Sequence, residues 1–454
     1  MSLGLIIIII LTALYFAILV LQLTKRINRD YISLYGPFVM IKTERGKKTI
    51  DWIAKKRKFW TIYGNVSVIV VFAAMFLMFL LLIWQATLVS RIPADSAPTP
   101  QMMIGLPGLN PLIPIWYGIL GLALAMVFHE FAHGILTRVA DTEVKNLGLL
   151  YLIVPMGAFV EPDEEAVAKL PRRKRVRMFA VGPATNIFTA FLFVLVFAWG
   201  FMGSLEPAQE GMMVLRVSED LPADNAGIEP GMVIIALNGT VITDSDEFSD
   251  FLGDSKAGQV INVTVYDDGT IRTIENITLE NKYEYTDDKE DDGIGYLGVV
   301  APTSVGGLTD VLAHPMEGRL QNGDIVGILG VSLFYISLPF FQLAPFPEPI
   351  QDLYEISGPL DFLPAPLFWV LANSLYWIFW LNLMVGITNS LPAVPLDGGY
   401  IFRDTMDKVV TKFKKGLSEE EREKYVSKIT VYLAYFILVL ILLPLFVPRI
   451  MGLF

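Results

Sequence analysis

The chain has 454 residues, 54% of them hydrophobic, with three histidines and no cysteine. The missing cysteine excludes disulfides and thiolate metal ligands, and a net charge of −11 argues against a basic nucleic-acid binder. Several apolar runs reach the roughly 20 residues that a membrane-crossing helix needs, so the composition is that of a polytopic helical membrane protein with material for one small extra domain.

In chain order, the first apolar run is 4–22, "GLIIIIILTALYFAILVLQ". It lacks a basic leading region and a small-residue cleavage site, and reads as a retained helix. Further spans are expected at 66–89, 113–139, 177–201, 366–390 and 429–447, which makes about six. Lys and Arg crowd the connections 23–60, 141–176 and 398–428, whereas 90–112 holds only Arg91. The positive-inside rule places the three basic connections in the cytoplasm. The run 325–343 would break this parity if it crossed, and is read as interfacial or re-entrant on the outer side. The segmentation is then a two-span N-terminal region (1–90) with a basic cytoplasmic loop, a first core half (113–201), a small β-rich external domain (206–300), an external or interfacial connector (301–365) and a second core half (366–447). The β-rich assignment rests on short runs such as "MVIIAL" and "INVTVY", separated by Gly, Asp and Asn turns.

Within the third span lies "AMVFHEFAHGIL", residues 125–136. Two of the three histidines, His129 and His133, stand four apart and share one helical face. Glu130 is adjacent. Ionisable groups cost ~2 kcal/mol or more each in a membrane helix, so such a cluster marks function. The H-E-x-x-H arrangement has a direct mechanism: two imidazoles bind zinc, zinc lowers the pKa of a water, and the glutamate accepts its proton. A third ligand has to come from elsewhere. The remaining histidine, His314, falls in the external segment. Asp397 in "NSLPAVPLDGGYIF" follows the fifth span on the cytoplasmic side, at a depth similar to that of His133. Pro392 and Pro395 stop that helix, and Gly398–Gly399 allow a sharp turn that aims the carboxylate.

Together, "HEFAH" (129–133), "VGPATNIFTA" (181–190) and "NSLPAVPLDGG" (389–399) resemble the site-2 protease family of intramembrane zinc metalloproteases, peptidase M50-like, over roughly 113–400. The resemblance implies one zinc per chain on His129, His133 and Asp397, with Glu130 as catalytic base and acid. It implies substrates that are single-span membrane proteins cut within or near the bilayer, usually after a first cleavage by another protease. It also implies that Asn186 and Asn389 touch the substrate backbone; an interhelical hydrogen bond explains either asparagine equally well. The apolar, partly β-branched stretch 148–165, interrupted by Pro155 and Gly157, suits a loop that holds an extended substrate by strand addition. Gly157 is therefore a third substrate-binding candidate. The basic "PRRKRVR" (171–177) reads as an anchor at the anionic cytoplasmic leaflet.

The segments "DLPADNAGIEPGMVIIALNGTVI" (220–242) and "GYLGVV" (295–300) look like a PDZ domain, whose groove would take peptide C-termini or filter uncut ectodomains. The alternative from another class is a catalytically silent metal-binding membrane scaffold that recruits partners through this domain. The intact Glu130 argues against it, because a scaffold needs no base there.

Overall fold

The computed structural model describes residues 12–21, 24, 31–35, 38–94, 96–151, 155–286, 288–300, 303–414 and 416–452. The chain divides into two compact units, one of residues 1–192 with 377–454 and the other of 193–376.

Five helices among the described residues are long and apolar enough to cross a membrane. They are α3 (Arg57–Leu88), α4 (Ile115–Val139), α6 (Arg172–Leu195, continued through a π-helical turn to Ser204), α7 (Ala365–Asn389) and α9 (Glu419–Met451). They match five of the six expected spans. The first expected span lies partly outside the described residues, and its described part is the helix α1 (Thr12–Leu21). The run at 325–343 forms a 13-residue helix, Ile325–Ser337, which is shorter than a span.

The first unit holds its helices together through small residues, as membrane helices must when lipid is as apolar as their side chains. A methyl at Gly121 of α4 would come within 2.7 Å of the Trp377 carbonyl of α7. One at Gly386 of α7 would come within 2.9 Å of the Pro183 carbonyl of α6. The helix α9 starts at a capping box, in which Ser418 and Glu421 satisfy each other's backbone N–H groups.

The connection 23–60, expected as a basic loop, carries regular structure. Strands β1 (Ile32–Tyr35) and β2 (Phe38–Thr43) form a hairpin, followed by helix α2 (Lys47–Ala54). Strand β2 pairs antiparallel with β3 (Val144–Tyr151), and β3 with β4 (Pro155–Pro162), giving one sheet in the order β1-β2-β3-β4. The physical reason is tertiary: "FVMIKT" is a β-branched and aromatic run that finds a partner edge more than a hundred residues away, and "ISLY" folds back onto it. Ile50 of α2 is fully buried with Ala132, Ile135, Leu136, Leu147 and Val181. Burying such a side chain contributes about 1.5–3 kcal/mol, so the N-terminal segment is bound firmly to the helix that carries "HEFAH".

Across the sheet, Lys42 Nζ lies 3.1 Å from Glu161 Oε2, and the Asn146 amide donates to the same oxygen at 2.9 Å. Partial burial pushes the Glu161 carboxyl up, but the Asn146 and Lys42 contacts outweigh it and hold the group below its ordinary value. A carboxyl depressed in the fold stabilises above its ordinary pKa and loses that contribution as pH falls through the folded value. Acidification from about pH 6 to about pH 3 is therefore expected to lower the thermal unfolding midpoint more for the wild type than for Glu161→Gln. Parallel curves for the two proteins would remove Glu161 from the acid response.

In the second unit, strands Met212–Met213, Val233–Leu237, Val260–Asp267 and Thr270–Thr278 form a sheet in the order 270–278, 260–267, 233–237, 212–213, with Thr240–Val241 pairing onto 233–237. The helix Ser245–Asp254 is capped by Asp244, which accepts from two backbone N–H groups. A single core of Met212, Ile228, Ile234, Leu237, Phe248, Val263, Val265 and Leu297 fills this domain. The strand Val299–Val300, at the end of "GYLGVV", pairs with Arg216–Val217.

Candidate metal centre

The spacing of four along α4 brings the two imidazoles edge to face, with ring centroids 4.7 Å apart. His129 Nε2 and His133 Nε2 are 3.0 Å apart, and Asp397 Oδ2 lies 3.0 Å from the first and 3.2 Å from the second. These are the residues that the sequence reading paired with a metal, and among the described residues they are the one such group of His, Asp and Glu. Ligand atoms set tetrahedrally about 2.0–2.1 Å from a zinc ion are about 3.3 Å from one another, so the observed spacings fit that ion.

The outer contacts decide which ring nitrogen faces inward. His133 Nδ1 donates to the Met178 carbonyl at 2.7 Å, which leaves the Nε2 lone pair toward Asp397. His129 Nδ1 is 3.2 Å from the Asn186 side-chain amide, and the buried Asn186 Oδ1 has no hydrogen-bond partner among the described residues. Turning that amide by 180° places Oδ1 on a His129 Nδ1–H, satisfies the orphaned oxygen, and aims the Nε2 lone pair inward as well. Two inward lone pairs beside a carboxylate repel unless a cation lies among them. The donor set therefore fits a metal on chemical grounds as well as by distance.

Asp397 reaches the centre by a route the sequence reading did not give. The helix α7 ends at Asn389, and α8 (Asp397–Phe413) begins at Asp397 itself. Gly398 and Gly399 are helical residues, so they make no sharp turn. They permit close packing instead. A methyl on Gly398 would overlap the Ser390 carbonyl, and one on Gly399 would lie 2.5 Å from the Val394 nitrogen. The two glycines let the first turn of α8 press onto the 390–394 backbone, which fixes the depth of the carboxylate.

Gly182 of α6 has the same kind of reason. A methyl there would overlap His133 Nε2 and come within 2.7 Å of His129 Nε2. The third element is tied by Arg175, whose guanidinium makes a two-pronged pair with Asp404 of α8, at 3.0 and 2.7 Å. Asp404 stands seven residues after Asp397, on the same helical face. Arg175→Ala is expected to destabilise the protein by about 1–3 kcal/mol, and the exposed Arg173→Ala to leave it unchanged, as read by thermal unfolding. Nothing in "PRRKRVR" distinguishes the two arginines, and a membrane-anchor role for the run does not imply the pair with Asp404.

Glu130 turns toward the sheet, where its Oε2 accepts from the Val160 backbone N–H at 2.8 Å. The other candidates are dispersed. Asn186 is fully buried against His129. Asn389 is half-buried at the end of α7, and its side chain makes no hydrogen bond to another described residue. Gly157 is buried in β4 opposite Leu150, with nothing closer than 3.7 Å to a methyl built on it.

A histidine pair and an aspartate converging among membrane-length helices, with a glutamate beside the first histidine, are the features of a membrane metalloprotease. The chain belongs to Peptidase family M50, whose sequence pattern it matches over residues 117–437. It is similar to an uncharacterised protein of Methanocaldococcus jannaschii, at 24% identity over 417 residues, covering 90% of this chain and 87% of that one. It is similar also to the zinc metalloprotease Rip1 of Mycolicibacterium smegmatis, at 23% identity over 56% of this chain and 71% of the relative. The chloroplastic membrane metalloprotease ARASP of Arabidopsis thaliana matches at 24% identity over 60% of this chain and 62% of its own length. The name of the Mycolicibacterium relative agrees with the donor set on zinc as the metal.

Proposed function

We propose that the protein is a site-2-type intramembrane endopeptidase, cutting transmembrane segments of single-span membrane proteins. The observation that carries this reading is the position of the centre: His129, Glu130 and His133 lie in the second half of α4, a helix long and apolar enough to cross a membrane. A zinc ion on His129 Nε2, His133 Nε2 and Asp397 would supply a Lewis acid and lower the pKa of a water. The remaining chemistry belongs to the chain. Glu130 takes the proton of the attacking water and delivers it to the leaving amine. The Met178 carbonyl and Asn186 hold the imidazoles in register. Gly182 keeps the space at the ligand atoms clear.

Peptide bonds in a helix are shielded, so the substrate has to be extended before it is cut. The sheet beside α4 offers a place for that, through strand addition. The concentration of Lys and Arg in 23–60, 141–176 and 398–428 supports a reading with the centre toward the cytoplasmic face and the β-rich domain outside. We read that domain as PDZ-like from its sheet, the helix Ser245–Asp254 and "GYLGVV", and assign it to peptide C-termini newly exposed by a first cut. The test is cleavage of a model transmembrane peptide by protein purified in detergent, with bound metal measured alongside. About one zinc per chain with cutting supports the reading; metal-loaded protein that cuts none of a panel of helix-destabilised peptides would turn it toward a scaffold.

A further inference from the structure

The bond between Glu130 and Val160 joins the catalytic group to the edge of the sheet. In the order β1-β2-β3-β4, one edge is β1 and the other is β4. With strands about 4.8 Å apart, β1 lies about three spacings away from β4, and β4 is the edge that meets Glu130. The register Leu147↔Val160, Gly148↔Phe159, Leu149↔Ala158 and Leu150↔Gly157 is regular. Backbone groups alternate along an antiparallel strand between the partner and the open side. The Val160 N–H is given to Glu130 and so points away from β3. Ala158, two residues earlier, points the same way.

Val160 N–H is therefore one of the donors that an added strand would use, and Glu130 already occupies it. A single N–H cannot serve a carboxylate oxygen and a peptide carbonyl at full strength. We propose that Val160 N–H is a latch on the catalytic glutamate, which an extended substrate releases by pairing with β4. In the free enzyme Glu130 is tethered to the edge strand. When a substrate carbonyl takes the Val160 N–H, Glu130 is freed at the moment an extended chain lies beside the centre. The base then becomes available in response to substrate unwinding, and a helix lying alongside without extending leaves it tethered. This inference rests on the protease reading given above.

The test compares wild type, Glu130→Gln and Glu130→Ala, all with metal content measured. The probe is an Ala- and Val-rich membrane peptide whose central bond is replaced by a ketomethylene, which keeps the carbonyl and cannot be cut. Glu130→Ala removes the competitor for Val160 N–H and is expected to bind the probe about three- to tenfold more tightly than wild type. Glu130→Gln keeps an acceptor without the charge and is expected to stay within about twofold of wild type. Amide exchange at Val160 should be slow in wild type with or without probe, and fast in Glu130→Ala until the probe is added. Equal affinities in all three overturn the latch, as does equal tightening in both variants, which would report charge alone. Cleavage of the unmodified peptide by wild type separates the two claims. An enzyme that cuts with unchanged affinities loses only the latch. A metal-loaded wild type that neither cuts nor binds loses both.

Discussion

Glu130→Gln is expected to retain about one zinc per chain and to lose peptide cleavage by about 100- to 10,000-fold. The side chain does not belong to the convergent donor set of His129, His133 and Asp397, so the metal has no reason to leave. Glutamine occupies the same volume and can still accept from Val160 N–H, so the local packing has no reason to change. What is lost is the ability to take a proton from water and pass it to the amine. Metal content and turnover measured on the same preparation check this. Loss of zinc in Glu130→Gln would make Glu130 a ligand, and undiminished turnover would place the base elsewhere.

Gly182→Ala is expected to remove the metal without removing the fold. The added methyl would overlap His133 Nε2 and approach His129 Nε2 to 2.7 Å. Neither ring can retreat, since each is held from behind, His133 by the Met178 carbonyl and His129 by Asn186. Zinc affinity is expected to fall by at least about 100-fold, with cleavage following it. Two glycine controls separate this from general disturbance. Gly157→Ala meets nothing closer than 3.7 Å and should keep both metal and stability. Gly386→Ala meets Ile187 and the Pro183 carbonyl at 2.9 Å, and should lower the unfolding midpoint, with metal affinity affected less than in Gly182→Ala. Chelator competition with zinc reads the affinities, and circular dichroism reads the helices. Full zinc binding by Gly182→Ala would show that α6 can shift aside.

The centre was legible in the sequence because its signals are local. A spacing of four on a helix fixes His129 and His133 on one face whatever surrounds them. Asp397 stood out as a carboxylate after a span on the basic side. The second histidine contacts, Met178 and Asn186, come from a different helix, and for Asn186 the sequence left substrate contact and an interhelical bond open. The structure gives its amide to His129. The sequence points to a turn at Gly398 and Gly399 where the structure has a helix, because a glycine pair after proline looks the same whether it bends a chain or lets two backbones touch. The hairpin Ile32–Thr43 was hidden by the lysines and arginines around it, and its pairing with β3 depends on a segment distant in the chain.

That hairpin and the helix after it bear on how far the protein can be shortened. The family match begins at residue 117, after both. Yet Ile50 sits against Gly134, the residue that follows His133, and a methyl on that glycine would lie 2.9 Å from the Ile50 side chain. A fragment begun near residue 113 would leave a void beside a ligand histidine. It would also strip β3 of its neighbour β2, so that β3 would become a raw edge in place of β1. The boundary of the family pattern and the boundary of the working machine are different places in this chain, and the smallest excisable catalyst is expected to include the strands and helix of 31–54.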